Sequence, residues 1–294
     1  MSELSFHLYL PQMRMEVDQI VERALAAEGS GFEGIAFMDH LAPPLAATQP
    51  MWEAMTLAAW VLARTERLVV GHLVLCDAFR HPAVLARQAV TLDHASGGRF
   101  ELGIGWGSVP AELETFGVPA GSAPERVERL RETLSLLRAL WSGEPVDHAG
   151  RHFSAHGAQQ RPVPLRPIPV VIGGIGPKTL ELVADHAQWW NVPIYGLDRL
   201  AELRGDAGTA RLSVQVMVAM VEQESGRAAV EETVRRRFGA TSMHEQIVIG
   251  SPAELAAHFS SLSDAGVERA YVWFSDFAPP STLEAFGREV IARR

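Results

Sequence analysis

Apolar positions along the chain follow two alternating rhythms. Short runs that are apolar at nearly every residue predict strands at Phe6–Leu10, Gly34–Met38, Leu68–Leu75, Phe100–Ile104, Val170–Ile172, Trp189–Val192, Leu212–Val221 and Arg269–Phe274. Leu68–Leu75 is too continuously apolar for a sheet with one wet face; parallel strands buried on both faces read this way. Between the runs, apolar residues return every three or four positions. Val17, Ile20, Val21, Ala24 and Leu25 set that spacing in Val17–Gly29. Helical patterns are also expected at Trp52–Thr65, Pro82–Ser96, Pro124–Trp141, Pro177–His186, Leu197–Leu203, Ala229–Phe238, Ser251–Ala265 and Ser281–Ala292. Gly29 and Gly31 supply the first helix stop. Pro82 and Pro252 stand in first turns, and Ser251 can cap the helix it precedes. Strand and helix alternating through 294 residues predict an α/β fold, a single (β/α)8 TIM barrel with insertions in the βα loops, since such a barrel needs about 250 residues.

The rhythm breaks between residues 143 and 169, a stretch rich in Gly and Pro. It reads as an insertion into one domain spanning 1–294, with a short hairpin around Ala149-Gly150. His148, His152 and His156 recur there at a spacing of four. That spacing brings ligands together only on a helix, which this composition disfavours, so surface histidines are expected and no metal site.

Composition narrows the function classes. The net charge is −9 and no basic stripe is present, so a nucleic-acid surface is not expected; Arg235-Arg236-Arg237 reads as a solvated helix face. Cys76 is the one cysteine, which forbids an internal disulfide and fits a reducing, cytoplasmic compartment. Met1–Leu10 lacks a basic region followed by an apolar run and reads as a strand rather than a secretion signal. No apolar stretch reaches the roughly 18 residues of a membrane helix.

In a parallel barrel, chemistry gathers where the strands end. The strongest such segment is Val170-Val171-Ile172-Gly173-Gly174-Ile175-Gly176-Pro177-Lys178-Thr179. A buried strand runs through glycines into a helix whose first N–H groups lack partners, which makes a phosphate seat or, in the plainer reading, a tight βα turn. Lys178, the single lysine, and the Thr179 hydroxyl could add charge and hydrogen bonds. The segment matches neither a P-loop nor the dinucleotide fingerprint. Asp39-His40 ends the second strand and is either an acid–base pair at the rim or a cap beside a solvated imidazole. Gly103-Ile104-Gly105-Trp106-Gly107 ends the fourth, where glycines admit a flat ligand and Trp106 could stack on it or cover the rim. Arg80 could reach an anion.

Together these segments resemble the luciferase-like family of flavin- and deazaflavin-dependent oxidoreductases. The similarity runs through Gly31–His40, Arg67–Leu75, Phe79–Ala83, Thr91–Gly105, Ile172–Leu180, Trp190-Asn191, Gly250–Leu255 and Ala265–Val267. The resemblance implies a cofactor ring over the C-terminal mouth of the barrel. It implies a cis peptide at Leu73–Val74 that supports the ring, with Gly105, Trp106 and Gly107 nearby. It implies a phosphate loop formed by Gly173, Gly174, Ile175, Gly176, Pro177, Lys178 and Thr179. Asp39-His40 is similar to the branch that uses coenzyme F420, with Asp39 near the ring and His40 handling a proton of a small organic substrate. The family's Trp shortly after this pair and Glu after the fourth-strand glycines are replaced by Pro44 and Ser108, which disfavours a sugar-phosphate dehydrogenase; Glu112 or Glu114 could stand in for the Glu. An FMN monooxygenase fed by a separate flavin reductase shares the same phosphate loop, and a cofactor carrier without turnover is a third reading. A homodimer is implied by the resemblance alone.

Overall fold

The computed structural model describes residues 4–44, 46, 48–241 and 243–293. Its strands are β1 (Ser5–Tyr9), β2 (Gly34–Phe37), β3 (Val69–His72), β4 (Leu75–Cys76), β5 (Leu102–Gly105), β6 (Val146–Ala149), β7 (Ser154–Ala158), β8 (Val170–Gly173), β9 (Trp189–Val192), β10 (Arg211–Met220), β11 (Val248–Gly250) and β12 (Arg269–Phe274). The helices are α1 (Val17–Gly29), α2 (Ala54–Leu62), α3 (Pro82–Ser96), α4 (Pro110–Thr115), α5 (Ala123–Trp141), α6 (Pro177–His186), α7 (Leu200–Leu203), α8 (Arg227–Phe238), α9 (Pro252–Asp264) and α10 (Pro280–Phe286).

The strands with two apolar faces join in the order β3-β2-β1-β12-β10-β9-β8-β5-β4, every neighbour parallel. β3 and β4 are halves of one strand, interrupted at Leu73–Val74, where the peptide bond is cis as the resemblance implied. The first half pairs with β2 from Gly34↔Val69 to Phe37↔His72. The second pairs with β5 at Leu75↔Ile104 and Cys76↔Gly105, and a Val70↔Phe100 bridge ties the halves to the same neighbour. The two ends of the path therefore meet in one strand, and the sheet is a (β/α)8 barrel.

The core continues outward into the helices. Phe6 of β1 meets Phe259 of α9 edge-on at 5.1 Å, and Phe274 of β12 meets Phe286 of α10 at the same distance. Ser122 and Ser251 cap α5 and α9 in reciprocal pairs with Glu125 and Glu254. Some differences from the sequence reading lie at helix ends. α2 begins two residues later than the pattern predicts, because Glu53 caps it through the Met55 and Thr56 amides while the Trp52 indole donates to the Met15 carbonyl. After α10 the chain makes a π-helical turn at Gly287–Ile291; a Cβ on Gly287 would stand 2.3 Å from the Ser30 carbonyl oxygen, so this turn packs backbone against the end of α1. The segment expected as a helix over Leu197–Leu203 is divided between a 3-10 turn, Ile194–Arg199, and the single turn α7.

Within 143–169, β6 and β7 form an antiparallel hairpin. Glu132 of α5 holds it, accepting from the His152 and Phe153 amides at 2.9 and 2.8 Å and pairing with His148 Nε2 at 2.9 Å. His148 and His152 thus dock the hairpin, while His156 is exposed. Among the described residues, no helix is long and apolar enough to cross a membrane, and no cluster of His, Cys, Asp or Glu could hold a metal ion.

Candidate active site

At the C-terminal ends of the strands a cavity of about 330 Å3 opens in the barrel. Its wall takes Asp39 and His40 from the end of β2, Leu73 and Val74 from the interrupted strand, Gly105, Trp106 and Gly107 from the end of β5, and Gly173, Gly174, Ile175, Gly176 and Thr179 from the β8–α6 turn. Segments separated by more than a hundred residues therefore meet on one surface. Pro177 and Lys178 do not line it.

The glycines define a close-packed lining. A Cβ at Gly105 would stand 2.8 Å from Val74 Cγ2, and one at Gly107 2.9 Å from Cys76 Sγ. Val74 thus sits over backbone that carries no side chain, leaving the cavity floor thin and apolar. Gly174 has φ +133°, a conformation essentially reserved for glycine, and a Cβ there would approach Thr179 Cγ2 to 3.1 Å. Its N–H donates to the Asn191 carbonyl at 3.1 Å and its own carbonyl accepts from the Trp190 indole at 2.8 Å. The turn is therefore fixed by the neighbouring strand β9. It leads into α6, where Gly176 is the N-cap residue, Pro177 follows, and no side chain caps the terminus. Uncapped N–H groups and the positive end of the helix dipole make this a seat for an anion. Trp106 reaches across to it, its Nε1 donating to Thr179 Oγ1 at 3.3 Å, with the Arg126 guanidinium 5.1 Å from its ring centroid.

Lys178 stands apart from the rest of the phosphate loop expected from sequence. Its side chain is 72% exposed and its Nζ pairs with Glu181 Oε1 at 2.7 Å one turn along α6. The anion seat is built of backbone. Gly174→Val is accordingly expected to weaken cofactor binding about tenfold or more, because the strained φ must relax and carry the turn with it. Lys178→Ala removes only an exposed ion pair and should change the dissociation constant less than about threefold. Equal losses in the two variants would contradict this division.

Asp39 is buried and fully engaged. Its Oδ2 accepts from the Cys76 amide at 2.8 Å and from Arg80 Nη1 at 2.5 Å, and its Oδ1 from Arg80 Nη2 at 3.0 Å. Arg80 also reaches Glu53, whose carboxyl, despite partial burial that would raise it, is held near pKa 2 by hydrogen bonds from Thr56 and Arg80. Arg80, considered from sequence as an anion contact, is thus closed between two carboxylates, and Asp39 is a brace for the loop after β4.

His40 is only partly covered and lies on the cavity wall. Its Nδ1 is 2.8 Å from Glu112 Oε2, and Glu112 Oε1 accepts from the amides of Leu41 and Ala42 at 2.5 and 3.1 Å. A carboxylate accepts, so Nδ1 donates; in the neutral imidazole Nε2 then keeps its lone pair. Glu112 lies on α4, a helix absent from the sequence reading; Glu114, the other candidate, is exposed.

Ser108, noted from sequence for the Glu it replaces, also lines the cavity; Val109, Leu113, Pro193, Tyr195 and Gln215 escaped the sequence reading. Gln215 lies inside a long apolar strand, where a polar residue was the available signal; it hydrogen-bonds Tyr9, whose phenol burial pushes far up. Cys76 also lines the cavity, and burial raises its thiol to about 11. Alkylation of the folded protein at pH 8 is therefore expected to run about a hundredfold slower than after unfolding, as the thiolate fraction dictates. Equal rates in the two states would show the thiol to be free.

Comparison with known proteins adds three observations. The sequence model of the luciferase-like monooxygenase family matches residues 3–207. An F420-dependent glucose-6-phosphate dehydrogenase of Microbacterium testaceum is 33% identical over 172 residues, covering 58% of this chain and 51% of the relative; the chain spans about half the length of the curated relatives it matches. Among solved structures, an F420-dependent secondary alcohol dehydrogenase in complex with an F420-acetone adduct superposes with TM-score 0.83 at 17% identity, covering 99% of both chains. The FMN complex of the oxygenating constituent of 3,6-diketocamphane monooxygenase from Pseudomonas putida superposes with TM-score 0.78 at 20% identity, covering 100% of this chain and 99% of the other.

Proposed function

Because the chain belongs to the luciferase-like monooxygenase family, we propose that it is an F420-dependent oxidoreductase acting on a small organic substrate, with His40 moving the proton that accompanies hydride transfer. The observation that carries this reading is the joining, on one cavity, of a glycine-lined floor, an uncapped helix terminus and a histidine oriented by a carboxylate.

The residues fit such a cofactor. Val74 over Gly105 and Gly173 offers an apolar shelf for a flat ring, and the backbone at 174–176 offers the α6 terminus to a phosphate. When bound, F420 supplies a two-electron carrier that gives or takes hydride at C5 of its deazaflavin. The protein's own part is positional and acid–base. Glu112 fixes the His40 tautomer and ring plane, and the Nε2 lone pair accepts a proton from, or returns it to, an oxygen bound beside it. Asp39, closed on Arg80, keeps the β4 end and the β2 loop in register on the ring side of the cavity.

F420 is favoured over FMN because relatives above 30% identity, those of Microbacterium testaceum and Rhodococcus erythropolis among them, are named for F420, whereas the FMN complex superposed above shares the fold alone. A cofactor carrier without turnover would have no use for the His40–Glu112 pair. The test is a titration of purified protein with F420 and with FMN, each followed by cofactor fluorescence. Saturable F420 binding tighter than FMN binding is expected; tighter FMN binding would replace the deazaflavin assignment with a flavin one.

The chain is further read as one barrel domain over 1–294, cytoplasmic, served by a separate F420 reductase, and homodimeric. Light scattering at about twice the 32.1 kDa chain mass is the expected result for the dimer; the monomer mass at micromolar concentrations would remove it.

A further inference from the structure

We propose that the substrate is an uncharged alcohol or carbonyl compound with apolar substituents, and that phosphorylated sugars are not accepted. This rests on the function proposed above and names the chemistry its cavity selects.

The first argument is charge. Among the described residues lining the cavity, none is Lys or Arg; the charged ones are Asp39 and Glu112, with His40 between solvent and Glu112. Arg80, the partner of the cavity residue Asp39, is already held by the Asp39 and Glu53 carboxylates. Arg126 is buried behind Trp106 and donates to the Gly121 carbonyl, and Lys178 faces outward on α6. The one anion seat, at the α6 terminus, serves the cofactor's own phosphate in the proposed function. A second phosphate brought by the substrate would lose its hydration against carboxylates and gain no cation, a strongly unfavourable exchange.

The second argument is the rim. Leu41, Val109 and Tyr195 stand 41, 38 and 61% exposed. Val109 and Tyr195 line the cavity and Leu41 follows His40 directly. Large apolar side chains left in water around a cavity mouth mark the path of an apolar ligand. The loop after β2 continues as Leu-Ala-Pro-Pro over residues 41–44 and brings no charge there. Inside, Met38, Leu73 and Leu113 extend the apolar wall, while the His40 lone pair offers one hydrogen bond to a hydroxyl. Ser108, Asn191, Tyr195 and Gln215 also line the cavity; hydrogen-bonding groups in a wall without a cation select an alcohol or its carbonyl partner over a phosphate, with affinity carried by hydrocarbon.

The experiment titrates purified protein, with and without F420, with a series of secondary alcohols from 2-butanol to 2-octanol and with glucose 6-phosphate, followed by calorimetry. Affinity is expected to rise up to about fourfold for each added methylene that the cavity buries, and glucose 6-phosphate is expected to show no saturable binding. Val109→Arg, at an exposed position, is expected to flatten the alcohol series and to introduce measurable glucose 6-phosphate binding. A flat series in the unaltered protein, or glucose 6-phosphate binding as tight as 2-octanol, would overturn the inference. F420 binding is read separately. Its absence beside an intact alcohol series would remove the cofactor assignment and leave the apolar selection standing; its presence beside a preference for glucose 6-phosphate would do the reverse.

Discussion

Replacing His40 with alanine is expected to lower kcat about 10²–10⁴-fold while leaving F420 affinity nearly unchanged, the range typical of losing a positioned general acid–base. The expectation follows from how the ring is held. Nδ1 is committed to Glu112, and the Glu112 carboxylate is itself held by two backbone amides of the loop that carries His40. The ring is thus oriented before substrate arrives, and its remaining nitrogen serves the cavity. No part of the α6 anion seat touches it, so cofactor binding should survive. His81→Ala is the control: His81 caps α3 through the Ala83 amide and lies outside the cavity, so it should leave kcat within about twofold. A His40→Ala enzyme that kept most of its turnover would end the catalytic assignment. One that lost F420 instead would move His40 to the cofactor side.

Glu101→Ala is expected to destabilise the fold by about 3–5 kcal/mol in urea unfolding, the cost of stranding a buried charge. Arg269 lies at the start of β12, at the end of the barrel away from the cavity, and is buried. Its Nη1 and Nη2 donate to the two Glu101 oxygens at 2.7 and 3.0 Å, Nη1 reaches Tyr271 Oη at 3.0 Å, and the Trp189 ring centroid lies 3.8 Å from the guanidinium carbon. Burial alone would lower the arginine pKa, yet Tyr271 and Glu101 raise it, so the charge persists in the interior. Burial also lifts the Tyr271 phenol to about 12 and, with the Arg269 charge, pushes His7 well below its ordinary value. Removing Glu101 leaves Arg269 with Tyr271 alone. Removing both charges, in Glu101→Leu with Arg269→Met, is expected to cost less than Glu101→Ala, since no ion is then stranded. F420 affinity at low temperature should be unaffected by either change. A loss below about 1 kcal/mol in Glu101→Ala would show that water reaches the site.

The barrel was legible in the sequence because each buried strand, such as Val170–Ile172 or Arg269–Phe274, is apolar on both faces and lies beside a helix of period 3.6. The phosphate turn was legible for a related reason: Gly173, Gly174 and Gly176 cluster at the joint of strand and helix, and at Gly174 the backbone takes a φ of +133° that favours glycine. What escaped was set by contacts distant in sequence. α4 has six residues and buries Leu113 alone, too little for a periodic signal, so the meeting of Glu112 with His40 across 72 positions had no local trace beyond a nearby carboxylate. β11 is three residues long and exists by pairing with the far end of β10. Arg80 and Lys178 each carry a charge that sequence reading aimed at a ligand. Direction depends on partners: Asp39 lies 41 positions before Arg80 and turns it inward, and Glu181 lies one turn after Lys178 and turns it outward.

The account rests on one placement, a deazaflavin with its phosphate at the α6 terminus and its ring along Val74, within reach of His40. A crystal structure of the protein with F420 bound tests it most directly. A phosphate oxygen is expected within hydrogen-bonding distance of the backbone N–H of residue 175, 176 or 178, and the ring packed on Val74 between Gly105 and Gly173. A phosphate bound elsewhere, or a ring remote from His40, would contradict it.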